Sequence, residues 1–329
     1  MTRRRFHWRI WTVFLAAAVI LAGLYYYGVF ARKRKAPVVY SVILYQNTLD
    51  EWGTLVEGMV QAEEDLNIHV NYVYLAKDDT ALEQAAVIRR ELRNGSSGIL
   101  LAAADSQGIQ KAFETTVFPV PVICVETGAG KEIPVIRSDD RAMGRALGEA
   151  ILADMDKTGN ERRVTVIKEY AQRDSIEMRY QGLAEALEEA GEEVVIEERM
   201  RQNTGFSLGR FLTVAFYDGN PYLVTLDKYI TEQAALIWSR DRQKYEKNGA
   251  TCKIFGIGNT ARTVNALDNG NIEALVYQNE FNMGYQAVAC LAEKRKKDWI
   301  EENVNIGYGI VTRETLYEDE NQRLLFSNT

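Results

Sequence analysis

From residue 38 onward, short apolar runs of strand length alternate with longer stretches whose apolar positions recur at helical spacing. Strands are predicted at 38–45, 68–75, 99–103 and 120–125, with helices at 51–66, 80–93 and 107–115 between them. A further short strand runs into the stretch 135–152, where Ser138 and Asp139 are suitable N-cap residues. Beyond them Ala142, Met143, Ala146, Leu147, Ala150 and Ile151 mark one face of a long helix. Gly144 and Gly148 in that helix cost roughly 1 kcal/mol each against alanine, which close approach to a neighbouring backbone would explain. Here the chain is expected to leave one lobe and enter a second. The alternation then restarts, with strands at 163–168, 193–198, 222–226, 253–257, 272–277 and 306–311. Helices are predicted at 176–190, 208–216, 230–243, 261–267 and 283–294. The pattern describes an α/β protein of two similar Rossmann-like halves with mostly parallel sheets, whose ligands gather at the carboxyl ends of the strands.

The first 35 residues change the picture. They hold eight of the 39 basic residues and no acid, leaving 31 basic against all 46 acidic residues in the remainder, a net of −15. Such an acidic body argues against a nucleic-acid partner. No charged residue lies between Arg9 and Arg32, and 10–31 would span about 33 Å as a helix, enough for a hydrocarbon core of roughly 30 Å. Trp8, Trp11 and Tyr25 to Tyr27 flank it as interface residues do. The expectation is an uncleaved transmembrane anchor, with a cleaved signal peptide as the competing reading. The charge is equal on the two flanks, so charge alone does not orient it.

Catalytic chemistry is thinly represented. The only histidines are His7 and His69, which argues against a histidine triad or a multi-histidine metal site. Cys124, Cys252 and Cys290 lie in apolar patterns and read as structural thiols. Gly128-Ala129-Gly130-Lys131 fails the phosphate-loop spacing, since Val125 and Glu132 stand where the motif needs Gly and Ser/Thr. The Gly256-Ile257-Gly258 loop follows a strand and opens a helix, as a dinucleotide loop does, but without the acidic residue such a site uses. Asp139 and Asp140 read as capping residues before they read as a catalytic pair.

At the predicted strand ends a different set collects: Gln46, Asn47, Asp50 and Trp52, then Asp105, Glu126 and Thr127. The second half adds Arg179, Asp227, Asn259, Gln278 and Asn279. Amides, carboxylates and a guanidinium with one aromatic plane suit a neutral polyhydroxylated ligand, although each residue taken alone equally fits a solvated loop.

At these positions the chain resembles the type I periplasmic binding proteins, in particular the ribose- and galactose-binding branch that shares its core with lactose-repressor-type regulators. The resemblance covers roughly 38–312 and rests on Ser138-Asp139 followed by Gly144, on Arg179-Tyr180-Gln181-Gly182-Leu183, and on Gln278. It implies two lobes joined by three crossing strands, closing on a sugar without catalysis or cofactor. It implies that Trp52 stacks on the ligand and that Arg179 and Gln278 hydrogen-bond to it, with Glu126 where the family has aspartate. Thr127, Leu226 and Gly258 depart from its usual arginine, asparagine and aspartate, leaving Asp227 and Asn259 as the neighbouring polar groups. The implied partition is a cytoplasmic 1–9, an anchor at 10–31, one lobe of 38–138 plus 279–303, and another of 139–278 plus 304–329. Anchor and resemblance together imply a single-pass protein whose binding domain is extracytoplasmic, with an ABC permease or a histidine kinase as membrane partner. The alternatives are a nucleotide-dependent enzyme using the Gly256–Gly258 loop, and a ligand-free structural partner of a sensor kinase.

Overall fold

A run such as Ile99-Leu100-Leu101 has no polar face to offer water, so it must lie in a strand covered on both sides. The computed structural model describes residues 15–22, 38–45, 49–76, 80–114, 118–191, 193–201, 204–294 and 304–325. Met1–Val38 and Val39–Thr329 form separate units. In the first, residues 15–22 are helical, while most of the expected span 10–31 lies outside the described residues. No helix among the described residues is long and apolar enough to cross a membrane.

The second unit contains two six-stranded sheets. The first has the order β11-β5-β4-β3-β1-β2, from β1 (Val39–Leu44), β2 (His69–Tyr74), β3 (Ile99–Leu101), β4 (Val122–Val125), β5 (Val135–Ser138) and β11 (Val304–Ile306). Every pairing in it is parallel. Helices α1 (Leu49–Leu66), α2 (Ala81–Arg93) and α3 (Ser106–Glu114) connect its early strands. The second has the order β12-β10-β9-β8-β6-β7, from β6 (Arg163–Ile167), β7 (Val195–Arg199), β8 (Tyr222–Thr225), β9 (Lys253–Ile257), β10 (Ala274–Gln278) and β12 (Tyr308–Thr312). It is parallel apart from the antiparallel edge strand β12.

The second sheet is covered on both faces. Helices α4 (Asp140–Thr158) and α5 (Asp174–Glu189) bring Met143, Leu147, Ile151, Leu183 and Leu187 against Val164, Val224 and Val276. Helices α6 (Leu208–Phe216), α7 (Lys228–Lys247) and α8 (Ala261–Asp268) bring Phe211, Ile230, Trp238 and Val264 to Leu223 and Leu275. Asp139 is the N-cap of α4, its carboxylate accepting the Ala142 N–H at 3.0 Å. The α4–α5 contact requires glycine: a Cβ on Gly144 would sit 1.8 Å from the Arg179 carbonyl oxygen, and one on Gly182 equally close to that of Arg141. The first lobe repeats the device between α1 and α9 (Glu280–Lys294), with Gly58 facing the Phe281 carbonyl.

The strand expected at 306–311 is two strands broken at Gly307. Val304–Ile306 pairs with β5 in the first sheet, while Tyr308–Thr312 pairs with β10 in the second. Residues 304–306 therefore stand with the first sheet, against the expected assignment of 304–329 to the second lobe. Ile306, Tyr308 and Ile310 keep a period of two through the break, so the hydrophobic pattern conceals the change of sheet. A terminal helix absent from the sequence reading, α10 (Asp319–Leu325), places Asn321 to accept the Tyr277 hydroxyl at 2.6 Å.

Candidate functional site

Both sheets direct their strand ends toward a shared cleft. Tyr45 follows β1, Glu126 follows β4, Asp227 lies just beyond β8, and Gln278 ends β10. The cleft is also lined by Trp52, Leu55, Arg179, Lys228, Ile257, Gly258, Asn259, Tyr277 and Glu280.

Arg179 stands on the otherwise apolar face of α5, between Ile176 and Leu183, and is almost wholly buried. Its guanidinium donates to Asp140 Oδ1 at 2.8 Å, to the Leu226 carbonyl at 3.0 Å and to Glu126 Oε1 at 3.0 Å. Burial alone would lower its pKa, but the flanking Asp140 and Glu126 carboxylates raise it, so the cation is firmly charged. Burial pushes the Asp140 carboxyl up to about 7, against the pull of Arg179. Glu126 also accepts the Tyr45 hydroxyl at 2.6 Å, from a left-handed backbone conformation (φ 63°) that turns its side chain into the cleft.

The remaining charges are matched in the same manner. Lys228 Nζ bonds Glu280 at 2.8 Å, and Arg173 lies 3.5 Å from Asp227, which also caps α7 through the Ile230 N–H at 3.1 Å. A charged ligand would have to break one of these pairs, so the cleft favours a neutral one. Its open polar feature is Gln278, nine-tenths buried, whose Oε1 has no hydrogen-bond partner among the described residues. The Trp52 ring is set edge-on to Tyr45, with centroids 4.9 Å apart, and its Nε1 donates to the Tyr45 carbonyl at 2.8 Å.

The structure thus brings Trp52, Glu126, Arg179, Asp227, Asn259 and Gln278 together. Asp105 does not line the cleft; its carboxylate accepts the Gly108 N–H at 2.9 Å at the start of α3. Thr127 is also outside the cleft lining, donating to Asp174 Oδ1 of the other lobe at 2.8 Å. Gln46 lies outside the described residues, as does the side chain of Asp50. Sequence reasoning missed Tyr45, Lys228 and Glu280 in the cleft lining, and Arg173, which stands outside that lining over the Tyr45 ring. For Arg173 the available signal was a second arginine six residues before Arg179 at the same helix entrance. Asp140 was read as a cap, whereas it is the buried partner of Arg179.

The Gly256–Gly258 loop spends its groups internally. The Gly258 N–H bonds the Val276 carbonyl, and the Thr260 hydroxyl accepts the Thr263 N–H at the start of α8. Among the described residues no cluster of His, Cys, Asp and Glu could hold a metal ion.

A sequence profile described as a periplasmic binding protein domain matches residues 40–298. No curated protein sequence matches the chain. Among solved structures, a carbohydrate transporter solute binding protein from Agrobacterium radiobacter in complex with D-arabinose superposes with a TM-score of 0.75. It is 18% identical, the match covering 88% of this chain and 99% of that one. A solute binding protein of an ABC transporter from Agrobacterium vitis, with bound D-fucose, gives 0.75 at 17% identity, covering 88% and 100%. A XylFII–LytSN complex gives 0.68 at 14% identity, covering 84% and 99%.

Proposed function

Because the chain belongs to the periplasmic binding protein family, we propose that it is a non-enzymatic receptor for a neutral, sugar-like small molecule held between its two lobes. One observation carries this reading. Gln278 Oε1 is a buried acceptor without a partner among the described residues, in a cleft that also presents Trp52 and whose charges are already matched. A hydroxyl group would satisfy that acceptor, and an apolar ring face would cover the indole. The sugar ligands of the two Agrobacterium proteins support the same chemistry.

The anchor reading extends the proposal: residues 10–31 hold the protein in the membrane with the lobes on the extracytoplasmic side. Ligand then shifts the equilibrium between lobe arrangements, and a neighbouring membrane protein reads the shift. The XylFII–LytSN complex supports a protein partner, which on this reading is a histidine kinase, with an ABC permease as the transport alternative.

A thermal-shift panel of pentoses, hexoses, inositols, NAD and ATP on the full chain tests the reading. A bound sugar at ~100 times its dissociation constant adds about 2.7 kcal/mol of stability. Stabilisation by NAD or ATP and by no sugar would replace the receptor with a nucleotide-using enzyme.

A further inference from the structure

Lysine is an unexpected residue at the start of a helix, where the backbone dipole favours anions. Lys228 nevertheless opens α7, whose first turn contains no acid. Its stem runs beside Gly258, just beyond β9, where a Cβ would lie 3.6 Å from Lys228 Cγ. Its ammonium donates to both oxygens of Glu280, at 2.8 and 3.1 Å. Glu280 in turn opens α9, two residues beyond Gln278. The helix placement that disfavours this lysine is thus offset by a carboxylate supplied from another element.

Both side chains line the cleft beside Gln278 and Asn259, with 13% of the lysine and 9% of the glutamate exposed. At that depth salt screens little, so the balance of charge on this wall acts on a bound molecule almost undiminished. The two charges are equal and opposite. A sugar carboxylate brought to the pair would meet the Glu280 anion beside a cation that Glu280 already holds, and a sugar ammonium would meet the converse. A hydroxyl group can accept from the ammonium or donate to the carboxylate without unbalancing either. Specificity of this kind comes from a repulsive element built against the wrong ligand as much as from attraction to the right one.

We propose that Lys228 and Glu280 set the charge class of the ligand, each excluding ions of its own sign. One substitution at either position then converts a receptor for neutral sugars into one that accepts sugar acids or amino sugars. The inference rests on the receptor reading and deepens it, giving a selective role to two residues of the cleft wall.

Titration calorimetry on the full chain at pH ~6, where a sugar amine is protonated, tests it. The neutral sugar that stabilises the wild type most is compared with galacturonate, glucuronate, galactosamine and glucosamine. Wild type is expected to prefer the neutral sugar to all four by tenfold or more. Glu280→Gln is expected to raise the affinity for a uronate, relative to the neutral sugar, tenfold or more. Lys228→Gln is expected to do the same for an amino sugar, and carries the test by itself should Glu280→Gln fail to fold. A purely structural pair would weaken every sugar alike and leave the ratios where they were. Unchanged ratios in a folded variant, or a wild type that takes a uronate as tightly as the neutral sugar, would overturn the proposal and leave the receptor reading standing. A wild type that binds none of the sugars would remove the receptor reading and this inference with it.

Discussion

Arg179 of the second lobe donates to Glu126 of the first at 3.0 Å while holding the buried Asp140 carboxylate at 2.8 Å. One cation thus satisfies two carboxylates that would otherwise be stranded out of water. Arg179→Ala is expected to cost about 3–5 kcal/mol, since it leaves buried Glu126 without a cation and Asp140 with only Arg137, 3.6 Å away. Glu126→Gln, which keeps an acceptor for Arg179, is expected to cost less than half as much. Urea unfolding of the two variants against wild type measures the difference, and equal costs would mean that Asp140 alone dominates.

The Asp140 carboxyl has its pKa raised by burial to about 7, above its ordinary value in an unfolded chain. The folded state therefore binds this proton more tightly than the unfolded state does. The stabilisation is complete at acid pH below the unfolded value and is lost as pH rises through about 7. Asp140→Asn keeps an acceptor for Arg179 and removes the titration, so its stability should fall less than that of wild type between about pH 5 and 7. Parallel denaturation curves across that range would place the titration elsewhere.

For ligand binding, Trp52→Ala and Gln278→Ala are each expected to weaken affinity tenfold or more, about 1.4 kcal/mol. Calorimetry with the most stabilising sugar of the panel reads this out. Asp105→Ala serves as the control, because its carboxylate is bound to the Gly108 N–H and lies outside the cleft lining; it should leave affinity unchanged.

Gly144→Ala would drive a methyl group to within 1.8 Å of the Arg179 carbonyl. Backbone atoms cannot swing aside, so α4 and α5 must separate, at an expected cost of at least about 2 kcal/mol. The same separation displaces Arg179, so loss of ligand response should accompany the loss of stability. A stable variant with normal binding would show that the helix pair does not set the position of Arg179.

If residues 10–31 are an anchor, the full chain should stay with membranes through alkaline carbonate washing, and deletion of residues 1–35 should release it. Protease added to intact cells with a permeable envelope should then cut the lobes. Recovery of a shortened chain that carbonate releases would point to a cleaved leader.

Much of the architecture was legible because it is written in local periodicity. Continuous apolar runs such as Ile99-Leu100-Leu101 leave no alternative to a buried parallel strand, and the apolar stripe of α4 with Asp139 before it marks a helix start whatever its neighbours do. Part of the strand-end set was legible for the same reason: topology puts the carboxyl ends of parallel strands of one sheet on one side, so Asp227 and Gln278 share a side, whereas their meeting with Glu126 of the other sheet depends on how the lobes face each other.

Long-range pairing was not legible, because nothing local encodes it. Ile306 and Tyr308 share one alternating pattern yet belong to different sheets, a division made by what lies beside each. Asp140 has the composition of a cap and becomes the partner of Arg179, 39 residues away, only when α4 and α5 meet through glycine. Arg173 over Tyr45 likewise exists only once the lobes face each other. The sequence by itself determined the elements, their alternation and the side of each sheet on which polar groups gather, since these follow from backbone geometry and hydrophobic period. Which charges neutralise one another was decided by tertiary structure, because Coulomb and hydrogen-bond energies depend on distances that only packing fixes.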